Sequence, residues 1–143
     1  MALQFRNLDI TSAAPVEQWG LEGLLAALDR GERRDWRRIM SSVERDPWGD
    51  VAQTLAEAFE LAEDSGVVNA LREALAMIRK EREAQERAAV AAELRACMES
   101  ASLSQDAFAR RLGTSRSRLN TYLHGRVTPS ATLLVRARAI AQP

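Results

Sequence analysis

The sequence contains few of the residues that catalytic and metal sites need. Its 143 residues include one cysteine and one histidine. A disulfide framework within the chain is therefore excluded, and no metal-ligand spacing is present. We find no Ser/His/Asp or Cys/His set and no glycine-rich phosphate loop. The sequence thus predicts no catalytic residue, no metal and no cofactor, and we do not expect an enzyme.

Long apolar runs are also missing. No stretch approaches the ~20 apolar residues that a membrane-spanning helix needs. The first residues lack the basic region followed by an apolar run that marks a signal peptide. We therefore expect a soluble cytoplasmic protein with no membrane partner. Cys97, at helical spacing with Leu94 and Ala101, is predicted to be a buried apolar residue.

Acidic residues are absent after Asp106. All 20 Asp and Glu lie at or before that position, together with 13 of the 20 Lys and Arg. Residues 107–143 hold the other seven basic residues, all arginine. The formal net charge of zero is therefore the sum of an acidic N-terminal part and a basic C-terminal part. A basic segment is the electrostatic footprint of phosphate contact, so we expect DNA to bind the C-terminal part alone.

The apolar residues recur at helical spacing, and no strand pattern occurs, which predicts an all-α fold. Residues 1–14 are assigned only as an N-terminal arm, and residues 15–78 are predicted to form a bundle of four short helices. The apolar faces of these helices are Leu21, Leu24, Leu25 and Leu28; Trp36, Ile39, Met40 and Val43; Trp48, Val51, Leu55, Phe59 and Ala62; and Val67, Val68, Leu71, Leu75 and Ile78. Asp46 as a cap and Pro47 in the first turn predict the start of the third helix.

Residues 79–87 are almost entirely charged or polar and are predicted to be a helical connector between two domains. No Gly or Pro interrupts residues 67–100, so the fourth helix either continues through the connector or kinks near residue 84. Residues 88–143 form the predicted C-terminal domain. Thr128 as a cap and Pro129 in the first turn predict where its last helix begins.

Two short helical patterns flank Gly113. The first runs from Ser104 to Leu112, and the second from about Ser115 to His124. Helices this short must cross steeply, which requires a small residue where the backbones approach and a turn residue that tolerates positive φ. Ala109 and Gly113 meet these two requirements. The pattern predicts a helix-turn-helix.

Several residues in this stretch resemble the Cro/phage-repressor (XRE) helix-turn-helix family over about residues 88–141. They are Ser104-Gln105, Ala109, Leu112-Gly113, Ser115-Arg116-Ser117, Gly125, Pro129-Ser130 and Leu133-Leu134. In this fold the second helix enters the major groove of DNA. The resemblance implies that Arg116 and Ser117 read bases, and Asn120 and Thr121 share their outward face. The residues predicted to contact phosphate, or left undecided between phosphate and base, are Gln105, Arg118, His124, Arg126 and Thr128.

Two functions remain open at this point. The first is a repressor that binds a palindromic operator as a homodimer, with residues 15–78 serving dimerisation, partner binding or the sensing of a ligand. The second is an antitoxin that neutralises a toxin through its N-terminal module and represses a shared promoter. For the dimer contact we favour the bundle over the last helix around Leu134 and Ile140. The arginines at 33, 34, 37 and 38 are interpreted as a solvated face, because Glu32, Asp35 and Glu44 are interspersed.

Overall fold

The computed structural model describes residues 2–143, and every regular element among them is helical. The elements are a 3-10 turn at Val16–Gln18 and the helices α1 (Gly20–Arg30), α2 (Arg33–Arg45), α3 (Asp50–Leu61), α4 (Gly66–Ser100), α5 (Gln105–Leu112), α6 (Arg116–Leu123) and α7 (Ala131–Ala141). The predicted all-helical fold is confirmed. Within the described part of the chain, no helix combines the length and apolar character needed to cross a bilayer.

The chain divides into two compact units, one ending at Glu81 and the other beginning at Arg82. Helix α4 supplies residues to both cores: Val68 and Leu75 to the first, Leu94 and Cys97 to the second. It continues through all 35 of its residues as one helix, so of the two alternatives the continuous one is observed. The roles that the sequence suggests for the N-terminal segments stay predictions.

The first unit is built around the apolar faces of α1, α2 and α3 and the N-terminal part of α4. Its largest buried side chain is Trp19, which is 1% exposed. The ring of Phe5 packs edge-on against Trp19 with centroids 5.2 Å apart. Leu3 is buried in the same core. The N-terminal arm is thus packed onto the unit, although it forms no helix before Val16.

Helix α3 begins later than the Asp46-Pro47 pattern predicts. The backbone N–H of Asp46 still donates to the carbonyl of Ser42, so Asp46 is the last cap of α2. Pro47 lies buried in the turn that follows, and its carbonyl accepts a hydrogen bond from Arg79 at 2.9 Å. Gly49 caps α3 instead. Trp48 is consequently 40% exposed in the turn, and its predicted inward orientation is wrong.

The second unit has its own core, formed by the C-terminal part of α4 with α5, α6 and α7. Its buried members are Leu94, Cys97, Phe108, Ala109, Leu112, Leu119, Leu123, Leu133 and Ala137. The start of α7 also differs from the prediction. Ser130, not Thr128, is the N-cap, because its hydroxyl accepts from the N–H of Leu133 at 3.2 Å.

Candidate nucleic-acid interface

Helices α5 and α6 each begin at a serine cap. The hydroxyl of Ser104 accepts from the N–H of Ala107 at 3.2 Å, and that of Ser115 accepts from the N–H of Arg118 at 3.1 Å. A serine in this position satisfies one of the backbone donors that an α-helix leaves unpaired at its N-terminus. These caps fix the first residues of both helices, Gln105 and Arg116, where the sequence pattern expects them.

The turn between the two helices depends on Gly113. Its φ of 80° and ψ of 31° lie in the left-handed region, which side chains other than glycine adopt at a cost. The N–H of Gly113 reaches the carbonyl of Arg110, and the N–H of Thr114 reaches the carbonyl of Ala109. The left-handed residue therefore lets the chain reverse while the last carbonyls of α5 stay hydrogen-bonded.

One face of α6 is held in the core of the second unit. Leu119 is fully buried, and Leu123 is 6% exposed. They pack in the same cluster as Phe108, Ala109 and Leu112 of α5. Tyr122 is partly buried beside them. Because side chains on a helix repeat every 3.6 residues, this arrangement leaves the side chains at the start of α6 facing outward.

The outward residues at the start of α6 are Arg116, Ser117 and Arg118, and all three are exposed. Asn120 and Thr121, one turn later, are half-buried. The guanidinium Nη1 of Arg116 lies 3.3 Å from the carboxylate Oδ2 of Asp106. This is an ion pair between two side chains that are 67% and 59% exposed. The four predicted base-reading residues therefore all lie on α6, and Arg116 forms an ion pair with Asp106.

Two of the predicted contact residues each form a side-chain hydrogen bond to a backbone carbonyl of α6. The hydroxyl of Thr121 donates to the carbonyl of Arg118 at 2.6 Å. Nδ1 of His124 lies 2.8 Å from the carbonyl of Asn120. Since a carbonyl only accepts, this nitrogen carries the proton, and Nε2 is the nitrogen of His124 that remains for an external partner.

The predicted phosphate contacts lie outside the exposed start of α6, apart from Arg118. Gln105 is half-buried as the first residue of α5, while Arg126 and Thr128 are exposed in the loop between α6 and α7. The backbone N–H of Arg126 donates to the carbonyl of Thr121, which ties this loop to the last turn of α6. A loop fixed in this way holds Arg126 and the end of α6 as one structural piece.

Two arginines that sequence reasoning missed hold the C-terminal ends of the motif helices. Arg136 donates to the carbonyl of Leu112, the last residue of α5, at 3.1 Å. Arg95 donates to the carbonyl of Leu123, the last residue of α6. Cations are favoured at helix C-termini, where carbonyls lack partners. In the sequence, only the basic residue type could have pointed to these two contacts. Each arginine is more than 20 positions from its partner along the chain.

A further ion pair involves Arg138, whose Nε lies 2.6 Å from the carboxylate of Glu93. The hydrogen bond from Arg138 holds the pKa of Glu93 below its ordinary value. Hence Arg136 and Arg138, which the charge count assigns to the basic segment, have partners inside the second unit.

Residues 89–140 match a family model described as a helix-turn-helix domain. The match covers well under half of the chain and includes α5, α6 and nearly all of α7. It supports a DNA-binding regulator and double-stranded DNA as a partner. A search of curated proteins found no match, and a search of solved structures found none.

Four arginines of the helix-turn-helix domain are available to a phosphate backbone. Arg110, Arg111, Arg118 and Arg126 are all exposed. Among residues 2–143, their guanidinium groups form no hydrogen bond or ion pair with the protein. Because such cations displace the counterions of DNA, they favour binding that weakens as salt rises.

Proposed function

We propose that the chain is a sequence-specific transcriptional repressor that binds a palindromic operator as a homodimer. The observation that supports this most is the orientation of α6. Leu119 and Leu123 fix one face in the core, while Arg116, Ser117 and Arg118 are exposed at its N-terminus. In helix-turn-helix proteins this end of the second helix meets base edges in the major groove. The proposed role is regulatory, with no catalytic step.

The proposed base contacts follow from side-chain chemistry. A guanidinium fork such as that of Arg116 can donate two hydrogen bonds to O6 and N7 of guanine, and the amide of Asn120 matches adenine. Ser117 and Thr121 lie on the same outward surface. Gln105, Arg118, His124, Arg126 and Thr128 are proposed to contact phosphate, with Arg118 and His124 close enough to α6 to reach a base instead.

A dimer is proposed because one small domain contacts few base pairs, and a two-fold protein matches a two-fold site. We place the contact on the first unit, where Leu61 and Met77 are 65% and 71% exposed. Burial of these two side chains by a partner chain would remove apolar surface from water, which favours association. Leu134 and Ile140 of α7, the other candidates, are half-buried against the core of their own unit. Val135 of the same helix is 60% exposed, slightly less than Leu61 and Met77.

Selection from a pool of random DNA duplexes tests this function. We expect the full-length chain to enrich inverted repeats whose half-sites lie about one helical turn apart, ~34–36 Å. Sedimentation of the chain with an enriched duplex should show two chains for each duplex. Recovery of no preferred sequence, or of one chain on an asymmetric site, would contradict the proposed repressor.

An antitoxin is the second candidate function, and a cleft in the first unit favours it. The cleft has a volume of about 570 Å³ and an apolar floor that includes Leu25 and Leu28. Its rim carries four carboxylates and two arginines: Glu22, Asp29, Glu63, Asp64, Arg6 and Arg30. Arg30 donates to the carbonyl of Gln4, which leaves an acidic rim suited to a basic partner protein.

The test for the antitoxin is co-expression with the product of the neighbouring reading frame. That product should arrest growth alone and not when this chain is present. The charge reversal Glu63→Lys should abolish the rescue while leaving binding to the selected duplex unchanged. A neighbouring product that is harmless alone would rule this function out.

A further inference from the structure

A second cleft in the first unit is basic. It has a volume of about 520 Å³ and lies between the 3-10 turn and α2. Its lining is Pro15, Val16, Glu17, Arg34, Arg37, Arg38, Ser41 and Arg45. Four arginines thus face one carboxylate in a concave site. The volume falls within the range of about 300–1,000 Å³ that is usual for small-molecule sites.

The acidic residues of α2 do not neutralise this cleft. The spacing of Arg34, Arg38 and Arg45 puts them on one face of the helix. Glu32 and Asp35 form a capping box at the N-terminus of α2, each side chain accepting from the other residue's backbone N–H. Glu44 is not part of the lining. The interpretation of these arginines as a solvated face assumed that the interspersed acids lie among them. In the structure Asp35 is buried in the capping box, Glu44 lies outside the lining, and Glu32 contacts Arg34 only at 3.9 Å.

Two of the four arginines are fixed by the fold. Arg38 donates to the carbonyls of Ser12 and Ala14, and its guanidinium lies over the ring of Trp19 at 5.0 Å. Arg45 lies 3.4 Å from the carboxylate of Glu17. That carboxylate also accepts from the hydroxyl of Ser42 at 2.8 Å, so the single acid in the cleft already has two partners.

The other two arginines are available to a ligand. Arg34 has only a long contact to Glu32, 3.9 Å, with both side chains more than half exposed. Arg37 is exposed, and its backbone carbonyl accepts from Ser41. Its guanidinium has no partner among the described residues. The cleft therefore combines two positioned guanidinium groups with two that can close on an anion.

We propose that this cleft binds a small phosphorylated metabolite that carries a diphosphate group. Guanidinium groups bind phosphate oxygens through paired, charge-assisted hydrogen bonds, and Arg is preferred over Lys where that geometry matters. Arg34 and Arg37 can each bind one of two adjacent phosphates, while Arg38 and Arg45, which are held by the fold, add positive charge to the same cleft. The proposal is independent of the DNA-binding role of the second unit and gives the first unit a ligand-binding role of its own.

A nucleic-acid backbone fits this cleft less well. The first unit has more acidic than basic residues, and a duplex would bring many phosphates close to them. A compact ligand meets only the arginines of the lining. An acidic segment of a partner protein is the other alternative, and the experiment below separates both alternatives from the proposed ligand.

The experiment is calorimetric titration of the full-length chain with pyrophosphate at constant ionic strength. We expect saturable binding of one pyrophosphate per chain. The double variant Arg34→Ala/Arg37→Ala should bind roughly tenfold more weakly or worse, because it loses two charge-assisted contacts. The variant Arg34→Lys/Arg37→Lys should fall between the two, because it keeps the charge and loses the paired geometry. Circular dichroism of each variant confirms that the helices remain.

Two controls locate the site. Arg6→Ala removes an exposed charge from the same unit, and Arg116→Ala removes one from the second unit. Both should leave pyrophosphate affinity within about twofold of the wild type, as expected for charges outside the site. The proposal is overturned if binding does not saturate or if either control weakens it as much as the double variant. It is also overturned if the double variant loses duplex binding, or if an oligoglutamate peptide binds the cleft more tightly than pyrophosphate.

Discussion

The guanidinium group of Arg116 lies 3.3 Å from the carboxylate of Asp106. Exposed ion pairs of this kind contribute about 0–1 kcal/mol. A paired hydrogen-bond contact with guanine contributes about 1–3 kcal/mol of discrimination between bases. If Arg116 contacts guanine as proposed, that contact outweighs the exposed ion pair with Asp106.

Replacing Arg116 tests the proposed base contact directly. We expect Arg116→Ala to weaken binding to a selected duplex by roughly 1–3 kcal/mol and to relax the preference at one base pair. The measurement is a titration against the selected duplex and a scrambled one. Arg34→Ala, in the first unit, is the matched control and should change neither affinity. An equal loss in both variants would assign part of the DNA contact to the first unit.

Arg126 should behave differently, because it lies in the loop after α6. If it contacts phosphate, Arg126→Ala should weaken selected and scrambled duplexes by similar factors. The slope of log affinity against log salt concentration should fall by roughly one unit, for one lost phosphate contact. Titrations at several salt concentrations measure both quantities. A loss confined to the selected duplex would make Arg126 a base-reading residue.

The ion pair between Glu93 and Arg138 predicts a pH dependence of stability. The hydrogen bond from Arg138 lowers the pKa of Glu93 below its ordinary value of 4.5. A lowered carboxyl pKa gives a stabilising contribution that is complete above 4.5 and is lost as the pH falls through the folded-state pKa. When the pH is lowered from neutral to below the folded-state pKa of Glu93, the free energy of unfolding should therefore fall less in Glu93→Gln than in the wild type.

Denaturant unfolding at the two pH values, followed by circular dichroism, measures this difference. Glu99→Gln is a suitable control, since Glu99 is exposed on the same helix α4 and forms no ion pair among the described residues. It should keep the acid dependence of the wild type. If Glu93→Gln keeps it as well, the pair with Arg138 does not contribute to folding in solution.

At the scale of single elements, the turn between α5 and α6 is the most constrained. Gly113 has a φ of 80°, and an added Cβ would lie 3.3 Å from Nη1 of Arg136. We expect Gly113→Ala to lower the free energy of unfolding of the second unit by roughly 1–2 kcal/mol, the usual cost of a left-handed backbone with a side chain. Gly66→Ala is the control, because Gly66 is in α4 with open space around it, and it should be neutral or stabilising. Thermal unfolding distinguishes the two.

The elements that could be predicted from sequence are those whose causes are local. The apolar spacing of Phe108, Leu112, Leu119 and Leu123, with Gly113 between them, was enough to locate α5 and α6. The starts of α3 and α7 were misplaced because a residue followed by proline resembles a helix cap. In the structure Asp46 ends the preceding helix and Ser130 caps the following one.

Contacts between distant positions could not be predicted. The hydrogen bonds from Arg95 to Leu123 and from Arg136 to Leu112 each join residues more than 20 positions apart. The same holds for the basic cleft, since Pro15–Glu17 and α2 meet only in the folded chain. The sequence shows how many arginines there are, and the fold decides which of them are available to a ligand.

At the scale of the whole molecule, the two units have separate cores. Leu119 is fully buried in the second core, so Leu119→Ala should destabilise that unit by about 2–5 kcal/mol. Trp19, Trp36 and Trp48 all lie in the first unit. We expect the variant to shift the unfolding transition seen by circular dichroism to lower denaturant while the transition seen by tryptophan fluorescence stays in place. A matching shift in both signals would show that the units unfold together.

His124 in the second unit and Trp19 in the first can serve as intrinsic spectroscopic probes of the two proposed binding sites. His124, the single histidine, is exposed, and its Nδ1 is hydrogen-bonded to the carbonyl of Asn120 in the last turn of α6. The Hε1 proton of its imidazole is therefore the only one of its kind in the sequence, and it reports from the edge of the proposed DNA-binding surface. Trp19, beneath Arg38, is an indole next to the basic cleft. In a single unlabelled sample, a spectroscopist can thus follow duplex binding from the imidazole signal and anion binding from the one of the three indole signals that belongs to Trp19.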